Sequence, residues 1–520
     1  MMNKGEKNKE RNSSKMHTTR TINARRNMMS SLLLQLFTAI SGLVIPRIII
    51  PTYGSDVNGL LVSITQFISY ISLFEAGVGS VFRASLYKPL HQNDIKEVSG
   101  IINAQKRFYR KIGAIFIAYI LVLCIVYPYI NQVDMNRSSV IALILLLSLG
   151  TFIEYFISLP YQSLIIADQM VRLVNLSAII VIIANIVVTA VLVKIGASII
   201  TLKIYTSIIV TIRPIIYIIY VKRHYTIDST AKPNNSALSQ RWNGLVHHLS
   251  YYIHRNTDIA LLTIFVSAST VSVYSIYLAV VTGIQKIVTS ISSGLSASVG
   301  NMIADGDKNV IDKTVNQFEF VQITITTILY TITALMLMPF IKLYTENMTD
   351  ANYIQPVFGY LLIVAEAVYC IRCIYSTITM SGNKFKETQP GAVLECIINL
   401  GVSLVFVMIL HTEEQKLIAI ASGTLFGMFA RLFYEVFYLS KDLLNRPVIK
   451  SIKVILSNIV ASVLSILACQ ALIRFDCCSV QEWILVSIES TFVVVIITTL
   501  ISYFLHKKIM LEIWYKLCKK

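Results

Sequence analysis

The sequence predicts an all-α polytopic membrane protein of about fourteen transmembrane helices, in two six-helix lobes with pseudo-twofold symmetry plus two extra C-terminal helices. Three observations carry this expectation. Only 14% of the 520 residues are charged and 55% are hydrophobic, where ordinary globular domains carry about 25% charged residues. Apolar runs that can cross about 30 Å of hydrocarbon recur from residue 30 to residue 505. Of the 45 Lys and Arg, 33 fall on one side of the resulting topology, 5 on the other and 7 inside the spans.

The elements follow in order. Residues 1–28 are polar and basic and read as a disordered cytoplasmic arm held near anionic lipid. No short apolar region with a cleavage site precedes the first span, so no removed signal peptide is expected. Spans one to six cover 30–51, 58–82, 112–130, 138–160, 173–193 and 199–221, an N-lobe over 29–221. The segment 222–245 (VKRHYTIDSTAKPNNSALSQRWNG) is polar and carries Pro, Asn and Ser, the composition of a hinge linker. Spans seven to twelve cover 246–266, 270–300, 318–341, 354–380, 392–411 and 417–439, a C-lobe over 246–440. Residues 441–520 hold spans thirteen (454–473) and fourteen (483–505) and a basic tail.

An internal echo relates the lobes. HQNDIKEVSGIINAQ follows span two and ADGDKNVIDKTVNQ follows span eight, with Asp94 to Asn103 and Asp307 to Asn316 equally spaced. Both lobes also start on the same side. Such halves are related by an axis along the membrane normal, a transporter arrangement that places a site at their interface.

The positive-inside rule puts both termini and the loops 83–111 and 222–245 in the cytoplasm. Topology thus accounts for the net charge of +17, and no nucleic-acid partner is expected. Outward loops are about a dozen residues or fewer, too short for a soluble catalytic domain. An integral-membrane polymerase or ligase would present a sizeable outward loop, so the chain does not read as an enzyme. A purely structural scaffold leaves the buried charges of both lobes unexplained. Most of the eight Cys lie in apolar spans, and Cys370 and Cys373 read as small buried residues rather than a redox or metal pair. His247, His248 and His254 lack convincing further ligands for zinc, and no cofactor is expected.

The stretch LFEAGVGSVFRASLYKPL (73–90) is the most informative. Positions 75, 79 and 83 share a helical stripe, and they are Glu, Gly and Arg. Facing lipid, such a stripe is costly; facing a partner helix or a water-filled cavity, it is useful. Seven further cations lie within spans: Arg47, Lys203, Arg213, Arg255, Lys286, Arg372 and Arg431. At about 2.5–3.5 kcal/mol each at the bilayer centre, seven facing lipid would cost roughly 20 kcal/mol, more than a typical domain's net stability of about 5–15 kcal/mol. They must snorkel, pair or face water. Lys203 and Arg213 are placed to reach an interface. Arg431 has Glu435 one turn away, the spacing of a structural ion pair. Arg372 stays open, since nearby Glu366 lies on a different face. Glu154, Glu395 and Glu489 read as buried acids without an assignable role.

Three stretches carry a resemblance: RNMMSSLLLQLFTAISGLVIPRIIIPTYGSDVNGL (26–60), LFEAGVGSVFRASLYKPLHQND (73–94) and the segment from HRNTDIALLTIF to SASVGNMIADGD (254–307). They resemble the Wzx-type polysaccharide flippases, of the multidrug/oligosaccharidyl-lipid/polysaccharide exporter superfamily. The likeness covers the first eight or so spans, and the rest in span count and topology only. It implies an alternating-access transporter of the bacterial cytoplasmic membrane. Its cargo would be an undecaprenyl-pyrophosphate-linked glycan, with polymerase or export machinery as a further partner. A lipid II flippase and a multidrug or cation antiporter of the same superfamily are the alternatives.

Such a cargo requires cations for its pyrophosphate, and Arg offers bidentate donors suited to phosphate. The resemblance places spans one, two, seven and eight around a central cavity, which makes Arg47, Arg83, Arg255 and Lys286 the pyrophosphate-binding candidates. Arg47 lies between Pro46 and Pro51, which would loosen that helix. Arg255 shares a face with Tyr251, Asp258 and Leu262, and Lys286 follows Gln285 midway through span eight. Glu75 and Asp258 are the coupling-ion candidates, for a proton or for sodium, each near one of these cations. Interhelical glue is the other reading of Glu75 and Arg83.

Overall fold

The computed structural model describes residues 4–75, 78–130, 133–234, 245–305, 308–382 and 384–518; the side chains of 4–24, 245–251, 253–255, 291, 293–301, 303–305, 308–309, 385 and 516–518 lie outside the description. Every regular element among the described residues is a helix. Among the described residues, thirteen helical stretches are long and apolar enough to cross a membrane, and Asn256–Phe265, within predicted span seven, is a shorter apolar helix. The all-α polytopic expectation is met.

The chain divides into two compact units, one of Met1–Tyr53 with Ile64–Leu245 and one of Gly54–Ser63 with Val246–Lys520. The first holds α1 (Lys4–Tyr53), then the end of α2 (Ser55–Ser69), whose residues 55–63 belong to the second, then α3 (Ser72–Glu75), α4 (Val78–Gln92), α5 (Ile95–Ile130) and α6 (Arg137–Ile153). A π turn over Glu154–Ser158 leads into α7 (Leu159–Ala167), α8 (Val171–Lys194), α9 (Ile199–Val210) and α10 (Ile212–His224). α1 packs along α8, and α4 sits against α5 and α7. Phe82, Leu86, Ile102, Leu164 and Tyr217 form the buried core of this end of the unit.

Two expectations change here. The N-terminal arm is helical from Lys4, continuous with span one, rather than disordered. Pro46 and Pro51 lie inside α1 without ending it before Tyr53. Span two is instead the broken helix: a turn at Tyr70–Ile71, closed by Tyr70 N–H to Phe67 O (3.1 Å), separates α2 from α3. The span's Gly- and Ser-containing sequence makes such a break inexpensive, while prolines late in α1 still find a helical neighbour in α8.

The second unit contains α11 (Leu245–Phe265), α12 (Ala268–Asp305), α13 (Lys308–Tyr344), α14 (Pro356–Ser381), α15 (Phe385–Ile409), α16 (Glu413–Tyr438), α17 (Ile449–Leu472) and α18 (Val480–Cys518). α14 is its centre, packing on α12, α13 and α16, while α15 lies along α16. α17 and α18 pack on each other and on α13. α16 starts with a capping box, Thr412 with Gln415.

The echo noted in sequence has a structural counterpart. Asn103 Nδ2 donates to Asp228 O (2.9 Å) and Ala231 O (3.0 Å), and Asp228 N–H donates to Ser99 Oγ (3.0 Å). These bonds pin residues 225–234 onto the start of α5, so that part of the expected hinge is a docked strap; 235–244 lie outside the described residues. In the second unit Asn316 accepts from Arg446, whose Nη2 also donates to Glu319 Oε2 and Ser451 Oγ, each at 2.8 Å. Each Asn therefore anchors the chain that leaves the sixth span of its lobe.

Candidate functional site

Glu75 ends α3, Gly79 and Arg83 lie on α4, and the three meet as the stripe predicts although residues 76–77 between the helices are outside the described residues. The Tyr109 hydroxyl of α5 donates to Glu75 Oε1 at 2.9 Å. A Cβ added at Gly79 would lie 2.7 Å from Glu75 Oε1, 3.1 Å from Tyr109 Oη and 3.6 Å from Arg83 Nη1. Glycine at 79 thus opens the notch in which an acid, a phenol and a guanidinium converge. Tyr155 is within hydrogen-bonding range of the same carboxyl, and Glu154 within electrostatic range. Glu154 begins the π turn, a form of helix that recurs at functional sites. It lies in turn within range of Arg213, which also faces Tyr217. Arg213 thus has Glu154 and Tyr217 within range.

In the second unit Asp258 of α11 is buried and accepts from the Tyr274 hydroxyl of α12 (2.8 Å) and the Thr424 hydroxyl of α16 (2.9 Å). Asn399 Nδ2 of α15 donates to the same Thr424 hydroxyl at 3.2 Å. Close approach of α15 and α16 makes this possible: a Cβ at Gly423 would lie 2.0 Å from Ser403 Oγ and 2.7 Å from Asn399 O. A carboxylate among hydroxyl and amide oxygens has the donor chemistry of a hard-cation or proton site. Among the described residues there is no group of three or more His, Cys, Asp or Glu arranged to hold a metal ion.

The remaining candidates are more scattered. Arg47 is half-buried on α1, and Lys286 is half-buried on α12 beside buried Gln285. Arg255 lies on α11, and its side chain is outside the described residues. Arg431 forms the ion pair expected with Glu435, Nε to Oε1 at 2.9 Å. It belongs to a larger set, since Arg431 Nη1 meets Glu395 Oε2 at 2.5 Å and Arg372 Nη1 meets Glu435 Oε1 at 3.3 Å. Ser376 also donates to Glu435, at 2.6 Å. Two arginines and two glutamates from α14, α15 and α16 thus neutralise one another in the buried interior. Glu395, without a role in sequence, is the partner of Arg431, and Arg372 finds its partner on another helix. Glu489 corrects a further expectation: it is exposed on α18, not buried, although the next residue, Ser490, is buried against Cys469 of α17.

Between α13, α14, α16 and α17 lies an apolar cavity of about 1070 Å³, walled by Tyr330, Met338, Ile363, Phe429, Ile459 and Ile466. At one end it reaches Lys342, Gln470 and Asp476. Composition alone gives no sign of it, since its walls are ordinary span residues.

No family model matches the chain, and no curated protein matches it. Solved structures do. The lipid II flippase MurJ in an inward closed conformation is similar over 93% of this chain and 99% of its own, with a TM-score of 0.69 and 13% identity. The chain shares the MurJ/MATE fold. A multidrug resistance MATE family transporter of the MOP superfamily, inward-facing, matches over 79% of this chain and 98% of its own (TM-score 0.60, 13% identity). An outward-facing MATE transporter matches over 80% and 95% (TM-score 0.53, 11% identity). The neighbours are thus a lipid II flippase and MATE family transporters.

Proposed function

We propose that the protein is an alternating-access flippase that moves an undecaprenyl-pyrophosphate-linked oligosaccharide across the bacterial cytoplasmic membrane for surface polysaccharide assembly. The observation that supports this most is the Gly79 notch: a half-buried Arg83 held beside Glu75 and Tyr109, within a flippase fold. Arg83 is the first contact for the pyrophosphate, with Arg47, Arg255 and Lys286 as the cations that receive it in turn. The apolar cavity of about 1070 Å³ suits an aliphatic chain, being at the upper end of the roughly 300–1000 Å³ that holds drug-sized ligands. Asp258, with Thr424 and Asn399 around it, is the coupling acid of the second unit, and Glu75 that of the first, for a proton or sodium.

Proteoliposomes loaded with a prenyl-pyrophosphate oligosaccharide test the reading by lectin access to the glycan. The full chain should expose the glycan on the opposite leaflet, and R83Q should slow this about tenfold or more with the protein still in the membrane. An unchanged rate in R83Q removes Arg83 from the path. Single-cysteine replacements at 47, 83, 255 and 286 should react with a charged thiol reagent in at least one state, and protection at all four would make them structural.

A lipid II flippase is the second reading, favoured by the near-complete coverage of MurJ, which extends over this chain further than the MATE structures do. Offering a pyrophosphate-linked sugar with and without a peptide stem separates the two: dependence on the stem selects the second reading.

A further inference from the structure

Arg25, Arg26 and Arg172 line a single pocket of about 520 Å³ where α1 meets the start of α8. Met29, Ser30, Leu33 and Leu176 complete its walls. The arginines are held in register by the backbone around them. Asn27 Nδ2 donates to Gln169 O (2.7 Å), and Arg172 N–H donates back to Asn27 Oδ1 (2.9 Å). Three residues on, Asn175 Nδ2 donates to Ser30 Oγ (3.0 Å) and Ser31 Oγ (2.9 Å). Gln169 takes a positive φ of 61°, turning the chain so that Arg172 returns towards α1. The acid nearby, Asp168, already accepts from the Tyr225 hydroxyl at 2.5 Å.

Away from the arginines the exposed side chains are mainly apolar, with Thr38 as an exposed polar residue on α1. Met29, Leu33 and Leu36 on α1 and Leu176, Ile180 and Ile183 on α8 are all exposed, at helical spacing, on two helices that pack together. Three guanidinium groups at the head of an apolar strip match a lipid whose phosphate sits at the membrane surface and whose chains run inward. Among the described residues Ser30 is the remaining polar side chain of the pocket, and it is buried and already bonded to Asn175.

We propose that this pocket binds the phosphate of an anionic glycerophospholipid, with the acyl chains lying along the α1/α8 strip. The site is separate from the Gly79 notch and does not depend on which cargo the protein carries. Its effect is to tie span one to span five at the membrane surface, and so to make the packing of the first unit sensitive to the charge of the surrounding lipid.

Binding of fluorescent phosphatidylglycerol to the detergent-purified full chain tests this, with phosphatidylcholine as the uncharged-headgroup control. Wild type should prefer phosphatidylglycerol by about tenfold or more, and R25Q/R26Q/R172Q should weaken its binding on the order of a hundredfold. The variant K441Q/K507Q/K508Q removes the same charge elsewhere and should change it by less than about twofold. N27A keeps every charge but frees the turn, and should weaken binding about three- to tenfold. Equal losses in the two triple variants, or equal affinity for both lipids, would overturn the site. So would undecaprenyl phosphate displacing the lipid at about a tenth of the concentration, which would assign the pocket to cargo. Displacement by inorganic pyrophosphate as effective as by phosphatidylglycerol would remove the apolar strip from the argument and overturn the lipid assignment.

Discussion

The Tyr109 hydroxyl and Glu75 Oε1 are joined at 2.9 Å in the space that a side chain at position 79 would fill. A side chain at 79 would therefore displace the Glu75 carboxyl by contact, with no demand from backbone conformation. G79A should force Glu75 off Tyr109 and leave the carboxyl without that donor, at a cost of about 1.5–3 kcal/mol for a hydrogen bond to a charged group. Y109F removes the same bond without the clash. If the bond is the whole effect, thermal unfolding in detergent should place the double variant close to G79A alone; additive losses would show that the added methyl strains something else.

The buried Arg372–Glu435–Arg431–Glu395 set makes a second prediction. Removing one charge strands the others in a low-dielectric interior. R431M should destabilise the protein by about 3–5 kcal/mol, whereas a concerted replacement, R431M/E395Q/E435Q/R372M, should recover much of the loss. Chemical or thermal unfolding with a membrane-insertion control reads both. A single variant as stable as wild type would mean that water reaches these groups.

The sequence reveals different parts of this arrangement for different physical reasons. Long apolar runs and basic loops follow from the solvent, so span positions and the Arg431–Glu435 pair, one turn apart, were legible. The Glu75–Gly79–Arg83 stripe was also legible, because helical spacing relates all three. Tyr109, Tyr274, Thr424 and Asn399 were not, since each lies on a different helix from the acid it serves and is an unremarkable residue within its own span. The same applies to Glu395 and Arg372, whose partners sit on neighbouring helices. Glu489 misled because periodicity tells which residues share a face, not which face is covered. The strap at 225–234 reads as a flexible linker in composition; only Asn103, at the echoed position, hinted that something docks there.

Topology supplies a third prediction. The 33-to-5 division of basic residues predicts that both termini lie on the cytoplasmic side. Reporter fusions after Asn234 and after Asn347 should read inside and outside respectively. Identical signals from the two would overturn the fourteen-span topology.

The last prediction concerns what drives the cycle. A gradient does work only if some group binds its ion differently in the inward- and outward-open states. Glu75 and Asp258 are suited to this in different ways. Glu75 shares its notch with Arg83, so a pyrophosphate that engages Arg83 withdraws the acid's counter-charge, and uptake of a cation by Glu75 then restores neutrality. Asp258 is held by the hydroxyls of Tyr274 and Thr424 from two other helices, so a shift of α12 or α16 changes its donors directly. E75Q and D258N should each insert normally and still bind cargo, yet lose transport driven by an imposed pH or sodium gradient. T424A should weaken coupling through Asp258 by about tenfold while leaving the Glu75 step intact, because it removes one donor and no charge. Whichever gradient the wild type follows identifies the ion. Normal driven transport in both acid variants would move the coupling site elsewhere, with Glu154 at the π turn and Glu366 on α14 as the acids to replace next.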